Sequence, residues 1–317
     1  MGKSIASAWQ NRVSFQQLRK GARFSQNESA AARIFVTPTI LSLIVLGAFP
    51  LVFIVTAALT ESSLGKPFKK FVGAENFEAV LRDSDVLQSI FRTVSYSFAV
   101  TAVSVVLGVL LACAVYEGAR KGSVLRTLLL LPLIIPPVIV GTLWKLIYNP
   151  SGGLIATVLG YASIPAPQIL SDGSLALAAV GVADIWQWTP LVFLLVYASL
   201  LGQDSSLNEA ARLDGAHGWK LFVHITLPAI GGTIAAAAFI RLVIALKVFD
   251  LVFMMTSGGP GQSTTTTSYL IYQAAIKEFD VDRASAITLL LAVVVTVITV
   301  PIGLMIARIR RSEGSNA

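Results

Sequence analysis

Apolar residues in this chain gather into six long runs separated by polar connectors, and that pattern predicts helices that cross a bilayer. Ile34–Leu59 and Thr93–Tyr116 contain no charged residue, and Ala284–Ala307 contains none either. Leu128–Ile147 carries only Lys145, and Ser174–Leu201 carries only Asp184. Ala229–Met255 carries Arg241, Lys247 and Asp250. A helix needs about 20 mostly apolar residues to span the hydrocarbon core, and every run reaches that length. The predicted fold class is therefore an all-α membrane protein with six transmembrane helices, at about 34–59, 93–116, 128–147, 174–201, 229–255 and 284–307. Residues 1–33 read as an N-terminal arm, 34–311 as the membrane domain and 312–317 as a tail. The first apolar run is too long, and too far from the N-terminus, for a cleavable signal segment.

Composition points the same way: 55% of residues are hydrophobic and 13% charged, about half the charged share of a soluble domain. The charges that remain set an orientation. Lys3, Arg12, Arg19, Lys20, Arg23 and Arg33 precede the first run against one acid, Glu28. With that arm inside, Arg120, Lys121 and Arg126 and the terminal Arg308, Arg310 and Arg311 are cytoplasmic too, as the positive-inside rule favours. The connector over 60–92 balances five basic with five acidic residues and falls outside. The net charge of +7 is thus mainly a topology signal. No segment interleaves basic residues with exposed aromatics as nucleic-acid binding requires. Cys113 is the single cysteine, which excludes an intrachain disulfide and a thiolate metal site. His217 and His224 are the only histidines and lack a carboxylate to complete a metal site.

One polar segment interrupts the runs, at Ser206–Pro228, and the span count places it in the cytoplasm. Ser206 and Glu209 have capping-box spacing, so each can satisfy a free backbone N–H at a helix start. Leu207, Ala210 and Ala211 form a small apolar face, and Asp214-Gly215 supplies a turn. Ile225-Thr226-Leu227-Pro228 closes the segment. This combination of Glu209, Ala210, Ala211, Asp214, Gly215, Leu227 and Pro228 resembles the EAA loop of permease subunits in binding-protein-dependent ABC importers. The resemblance implies coupling helices, between spans four and five, that dock on a cytosolic ATPase.

Other stretches resemble the carbohydrate-uptake branch of that family. They are Phe71–Phe77, Leu131–Pro137 with Trp144 and Tyr148-Asn149-Pro150, Trp186–Pro190, and Thr256–Pro260 with Thr264–Thr267. Phe91-Arg92-Thr93 and Asp282 depart from the usual pattern, both away from the coupling segment. The implied function is that of an inner-membrane permease subunit of an ATP-driven importer for a sugar or sugar-derived solute. The implied partners are a distinct second permease, two ATP-binding subunits and a periplasmic solute-binding protein. No P-loop occurs in the chain, and Gly258–Gly261 lacks the Gly-Lys-Ser/Thr ending. ATP is therefore expected to be hydrolysed by partners, with no cofactor, metal or catalytic residue in this chain.

The in-span residues remain. Pro132, Pro136 and Pro137 predict a kinked third span, since proline frees a carbonyl that a neighbour must satisfy. A charge at membrane depth costs about 2.5–3.5 kcal/mol on insertion scales, so it faces a cavity or a partner. Lys247 and Asp250, three apart, are expected to meet on one helix face, and Asp184 can pair with either base of the fifth span. Internal neutralisation and a solute-lining role both fit this pattern. The resemblance borders the path with the fifth span, which makes Asp184, Trp188, Lys247, Phe249 and Asp250 the candidate path residues. Trp186, Trp188 and Phe249 offer rings to sugar faces. An ion-coupled secondary transporter would also explain intramembrane charges, but has no use for an EAA loop.

Overall fold

The computed structural model describes residues 26–117, 123–203 and 217–315, almost entirely as helix. Contacts divide the chain after Phe53. The first unit is described from Gln26 and consists of helix α1, Gln26–Ala58, as far as Phe53. Residues Phe35–Val52 are all exposed, and their apolar character suits them to lipid or to a partner helix rather than to water.

The second unit runs from Ile54 to the C-terminus. After α1 comes a hairpin, β1 (Thr60–Ser63) with β2 (Lys66–Phe71), then α2 (Glu75–Arg82) and the long α3 (Ser84–Glu117). The helices α4 (Ser123–Ile134), α5 (Pro137–Ile147) and α6 (Leu154–Tyr161) precede α7 (Ala176–Leu201). A turn at Trp219–Leu221 and a π-helical turn at Phe222–Thr226 lead into α8 (Leu227–Ala245). Two short helices, α9 (Asp250–Met255) and α10 (Thr267–Tyr272), and a π-helical turn at Gln273–Lys277 then precede α11 (Val281–Ser315).

Five of these stretches are long and apolar enough to cross a membrane: Phe35–Ala58, Ser84–Tyr116, Ala176–Leu201, Phe222–Ala245 and Val281–Arg308. The sixth candidate is a pair, α4 and α5, bent by 100°. The expected proline kink is thus a full break. Pro137 disfavours helical backbone at the residue before it; Pro136 adopts φ −56°, ψ 139°, and Pro137 opens α5 as its first residue. Each half is 11 or 12 residues long, about 18 Å at most, too short to cross the bilayer alone.

The fifth span is also broken. Helix α8 stops at Ala245, and α9 begins at Asp250. Lys247 and Asp250 therefore flank an unwound segment instead of sharing a helix face, and no ion pair joins them among the described residues. The intervening Phe249, at φ −137°, ψ −57°, lies outside helical geometry.

Of three apolar cores among the described residues, two are built on both α3 and α7. One joins Tyr96 and Val100 of α3, Val140 of α5, Val180 and Ala183 of α7, Val252 of α9 and Tyr269 of α10. The other joins Val109 and Ala112 of α3, Phe193, Val196 and Leu200 of α7, and Ile230 and Ala237 of α8. Helices α3 and α7 pack tightly at Gly108, where an added Cβ would lie 2.6 Å from Val192 Cβ. A small residue there lets the backbones meet, as in membrane helix pairs generally. At the hairpin end Arg283 binds Asp83 at 2.8 Å and Glu278 at 2.9 Å. Burial raises Asp83, but the Asp85 N–H and Arg283 outweigh it and hold the carboxyl below its usual range. Strand β1 bridges from Ser63 to Asp280, and Ser62 N–H donates to Asp282, which ties the hairpin to the start of α11.

Candidate functional site

The two helix breaks face one another across a cavity of about 100 Å³. Pro137 from the first break and Lys247, Val248, Phe249 and Asp250 from the second line it, together with Asp184, Gln187 and Trp188 of α7. All five residues singled out in the sequence, Asp184, Trp188, Lys247, Phe249 and Asp250, are thus brought to one cavity wall. Irregular backbone at membrane depth is tolerated only where it is buried in protein or lines a cavity.

Each break leaves carbonyls without a helical donor, and side chains from neighbouring elements supply one. Gln187 Nε2 donates to the Ile135 carbonyl at 3.1 Å. Thr266 Oγ1 donates to the Val248 carbonyl at 3.2 Å. Gln187 is 2% exposed, and its Oε1 has no partner among the described residues. Neither Gln187 nor Thr266 has a periodicity or motif signature of its own. The one sequence signal was placement: both lie in stretches quoted for family resemblance.

Asp184 resolves its alternatives in favour of Arg241. Its carboxylate pairs directly with the Arg241 guanidinium, and Arg241 Nε also donates to Ser104 Oγ at 3.3 Å. Three spans, α3, α7 and α8, are thereby joined at a point where Arg241 is 0% and Asp184 2% exposed. Arg241 Nη1 keeps no partner among the described residues.

Lys247 and Asp250 differ. Lys247 is exposed and Asp250 half-buried, and neither forms an ion pair among the described residues. Phe249 stacks on Phe253 at 5.5 Å and tilts against Tyr272 at 5.4 Å, which backs the cavity with an aromatic layer. Trp186 does not join its neighbour Trp188. It points to the opposite side of α7, where it meets Trp144 edge-on at 6.0 Å in an apolar groove of about 520 Å³.

Of the expected coupling residues, Glu209, Ala210, Ala211, Asp214 and Gly215 lie outside the described residues. Leu227 and Pro228 form the first turn of α8, Leu227 half-buried and Pro228 exposed. Pro228 follows directly on the π-helical turn Phe222–Thr226, where the regular i→i−4 ladder is already interrupted. His224 is exposed and its Nδ1 sits 3.0 Å from the Lys220 carbonyl. Among the described residues no group of three His, Cys, Asp or Glu side chains is arranged for a metal.

Residues 104–313 match the family described as the inner membrane component of binding-protein-dependent transport systems. The chain is 35% identical over 263 residues to a probable ABC transporter permease protein of Sinorhizobium fredii, covering 82% of this chain and 84% of that one. It is 31% identical over 290 residues to the trehalose/maltose transport system permease protein of Thermococcus litoralis, covering 92% and 98%. Its fold is similar to a chain in the crystal structure of a bacterial ABC transporter that imports the acidic polysaccharide alginate. That match has TM-score 0.79 and 24% identity, with 89% of this chain and 97% of the other covered.

Proposed function

The chain belongs to the family of binding-protein-dependent transport system inner membrane components, and from that premise we propose that it is a permease subunit of an ATP-driven importer for a sugar or sugar-derived solute. The observation that carries this reading is the polar cavity between two broken spans, since broken helices at membrane depth belong where a polar path runs. Asp184, Trp188, Lys247, Phe249 and Asp250 border that path in this chain. The Lys247 ammonium donates, while the Asp250 carboxylate and Gln187 Oε1 accept. Phe249 and Trp188 supply apolar faces. Such a mixture fits a solute whose hydroxyls alternate with C–H surfaces.

The remaining parts follow from the same reading. A periplasmic binding protein delivers the solute, and a distinct second permease completes the path. Two ATP-binding subunits dock on the segment containing Glu209, Ala210, Ala211, Asp214 and Gly215, whose motion Leu227 and Pro228 pass to α8. Both termini are cytoplasmic and the β1–β2 hairpin is external. This chain binds no cofactor and performs no covalent chemistry. An ion-coupled mechanism has no use for the Ser206–Pro228 segment or for a binding protein.

The test is uptake by the assembled importer in vesicles, with trehalose, maltose and glycerol 3-phosphate as probes. Uptake should require ATP and the binding protein, and should survive an ionophore that collapses ion gradients. Glu209→Lys should insert normally yet abolish uptake. Transport that persists without ATP and stops with the ionophore would overturn the reading.

A further inference from the structure

The loop before the last span is not a passive connector. Thr264, Thr265, Thr266 and Thr267 are at most 1% exposed, an unusual burial for four consecutive hydroxyl residues. Each hydroxyl has a different destination. Thr264 Oγ1 donates to the Gly259 carbonyl at 2.9 Å and lies 2.7 Å from Thr256 Oγ1. Thr265 Oγ1 donates to the Gly258 carbonyl at 3.1 Å, within the loop. Gly258 has φ +83°, and a Cβ there would sit 2.6 Å from the Tyr269 ring, so only glycine fits this corner. Thr267 lies against Thr93 of α3 twice, its N–H donating to Thr93 Oγ1 at 2.9 Å and its own Oγ1 at 3.1 Å. Arg92 Nη1 donates to the Thr265 carbonyl at 2.8 Å. The loop is therefore fixed to the start of α3.

Thr266 alone of the four reaches the fifth-span break. It is the N-cap residue of α10, where a threonine hydroxyl ordinarily accepts from a free amide of its own helix, and here it makes no such cap bond. It donates instead to the Val248 carbonyl, in the unwound segment between Lys247 and Phe249. No proline or glycine in residues 246–249 breaks the fifth span. We propose that Thr266 is a positioning residue that holds the fifth-span break open, so that the loop, fixed on α3, sets where Lys247, Phe249 and Asp250 stand in the cavity. Its bearing on solute rests on the path reading given above. The clamp itself does not depend on that reading, so the two can fail separately.

The test reads the break directly. In the assembled importer, with Cys113→Ala and Lys247→Cys, the rate of modification by a water-soluble thiosulfonate reports how position 247 is presented. Thr266→Val, which keeps the side-chain shape and removes the donor, should change that rate about tenfold, the scale of one lost hydrogen bond. Thr266→Ser should restore it. Thr265→Val, which removes a hydroxyl bonded only within the loop, should leave it unchanged. Should the valine variant not assemble, Thr266→Ala removes the donor without branching and carries the same expectation. An unchanged rate in Thr266→Val or Thr266→Ala overturns the proposal, as does an equal shift in Thr265→Val. In the chain with Lys247 intact, Thr266→Val should raise the apparent KM for trehalose or maltose uptake more than it lowers kcat. A shifted modification rate with unaltered transport would retain the clamp and reject the path.

Discussion

Two charge sites share one cavity in this molecule, and they are built on opposite terms. Asp184 and Arg241 sit on unbroken helix, almost wholly buried, each the other's counter-ion, with Ser104 joining a third span to them. Lys247 and Asp250 flank the unwound backbone of the fifth span, reach the cavity, and form no ion pair among the described residues. A charge at membrane depth is therefore not one kind of feature. Where the chain supplies the counter-ion, the charge acts as packing. Where the helix breaks and leaves both charges facing an opening, the proposed path reading draws the complementary group from the solute.

The largest effect should come from splitting the paired site. Asp184→Asn or Arg241→Met alone leaves an uncompensated buried charge, which should destabilise by about 3–5 kcal/mol and reduce the amount of assembled protein. Replacing both with apolar residues of similar volume should recover most of that loss. Thermal unfolding of the detergent-solubilised complex checks it, and a double variant as damaged as the singles would break the comparison.

A smaller effect should follow at Gly108, where α3 packs on α7. Gly108→Val drives a side chain into Val192 and should cost about 1–3 kcal/mol by overpacking. Gly47→Val, with nothing within 4 Å of the added Cβ, serves as the reference. Equal unfolding temperatures for the two would mean that the α3–α7 seam is looser than the buried pair implies.

The smallest effect belongs to the hairpin end, where charges meet water. Burial, reinforced by a hydrogen bond that its protonated carboxyl donates to Asp282, pushes Asp280 up to about 6. A folded-state pKa above the ordinary carboxylate value contributes stability that is present at low pH and lost as pH rises through 6. Stability should fall slightly between about pH 4 and 6, and Asp280→Asn should flatten that slope. Solvent screening keeps the change well below that of the buried pair.

Much of this was legible in the sequence, for identifiable reasons. Charge-free runs reported the spans because bilayer solvation penalises polar residues one by one. Pro136-Pro137 reported the first break because proline chemistry is local, although its 100° angle is a packing outcome. The second break left no local mark. Leu246-Lys247-Val248-Phe249 holds neither proline nor glycine, and the segment unwinds where Thr266, eighteen residues away, takes the Val248 carbonyl. Spacing alone therefore put Lys247 and Asp250 on a common helix face that does not exist. The choice of Arg241 for Asp184 depends on how α7 and α8 face each other, which periodicity cannot specify.

The most direct test of the contrast is the double variant Lys247→Met, Asp250→Asn in the assembled importer. Uptake of trehalose, maltose and glycerol 3-phosphate would be measured at matched membrane abundance. Removing both charges strands neither, so unfolding temperature should stay near that of the parent while apparent affinity or solute preference changes about tenfold. Parental uptake rates and preferences for all three solutes would contradict the assignment and make the second site as structural as the first.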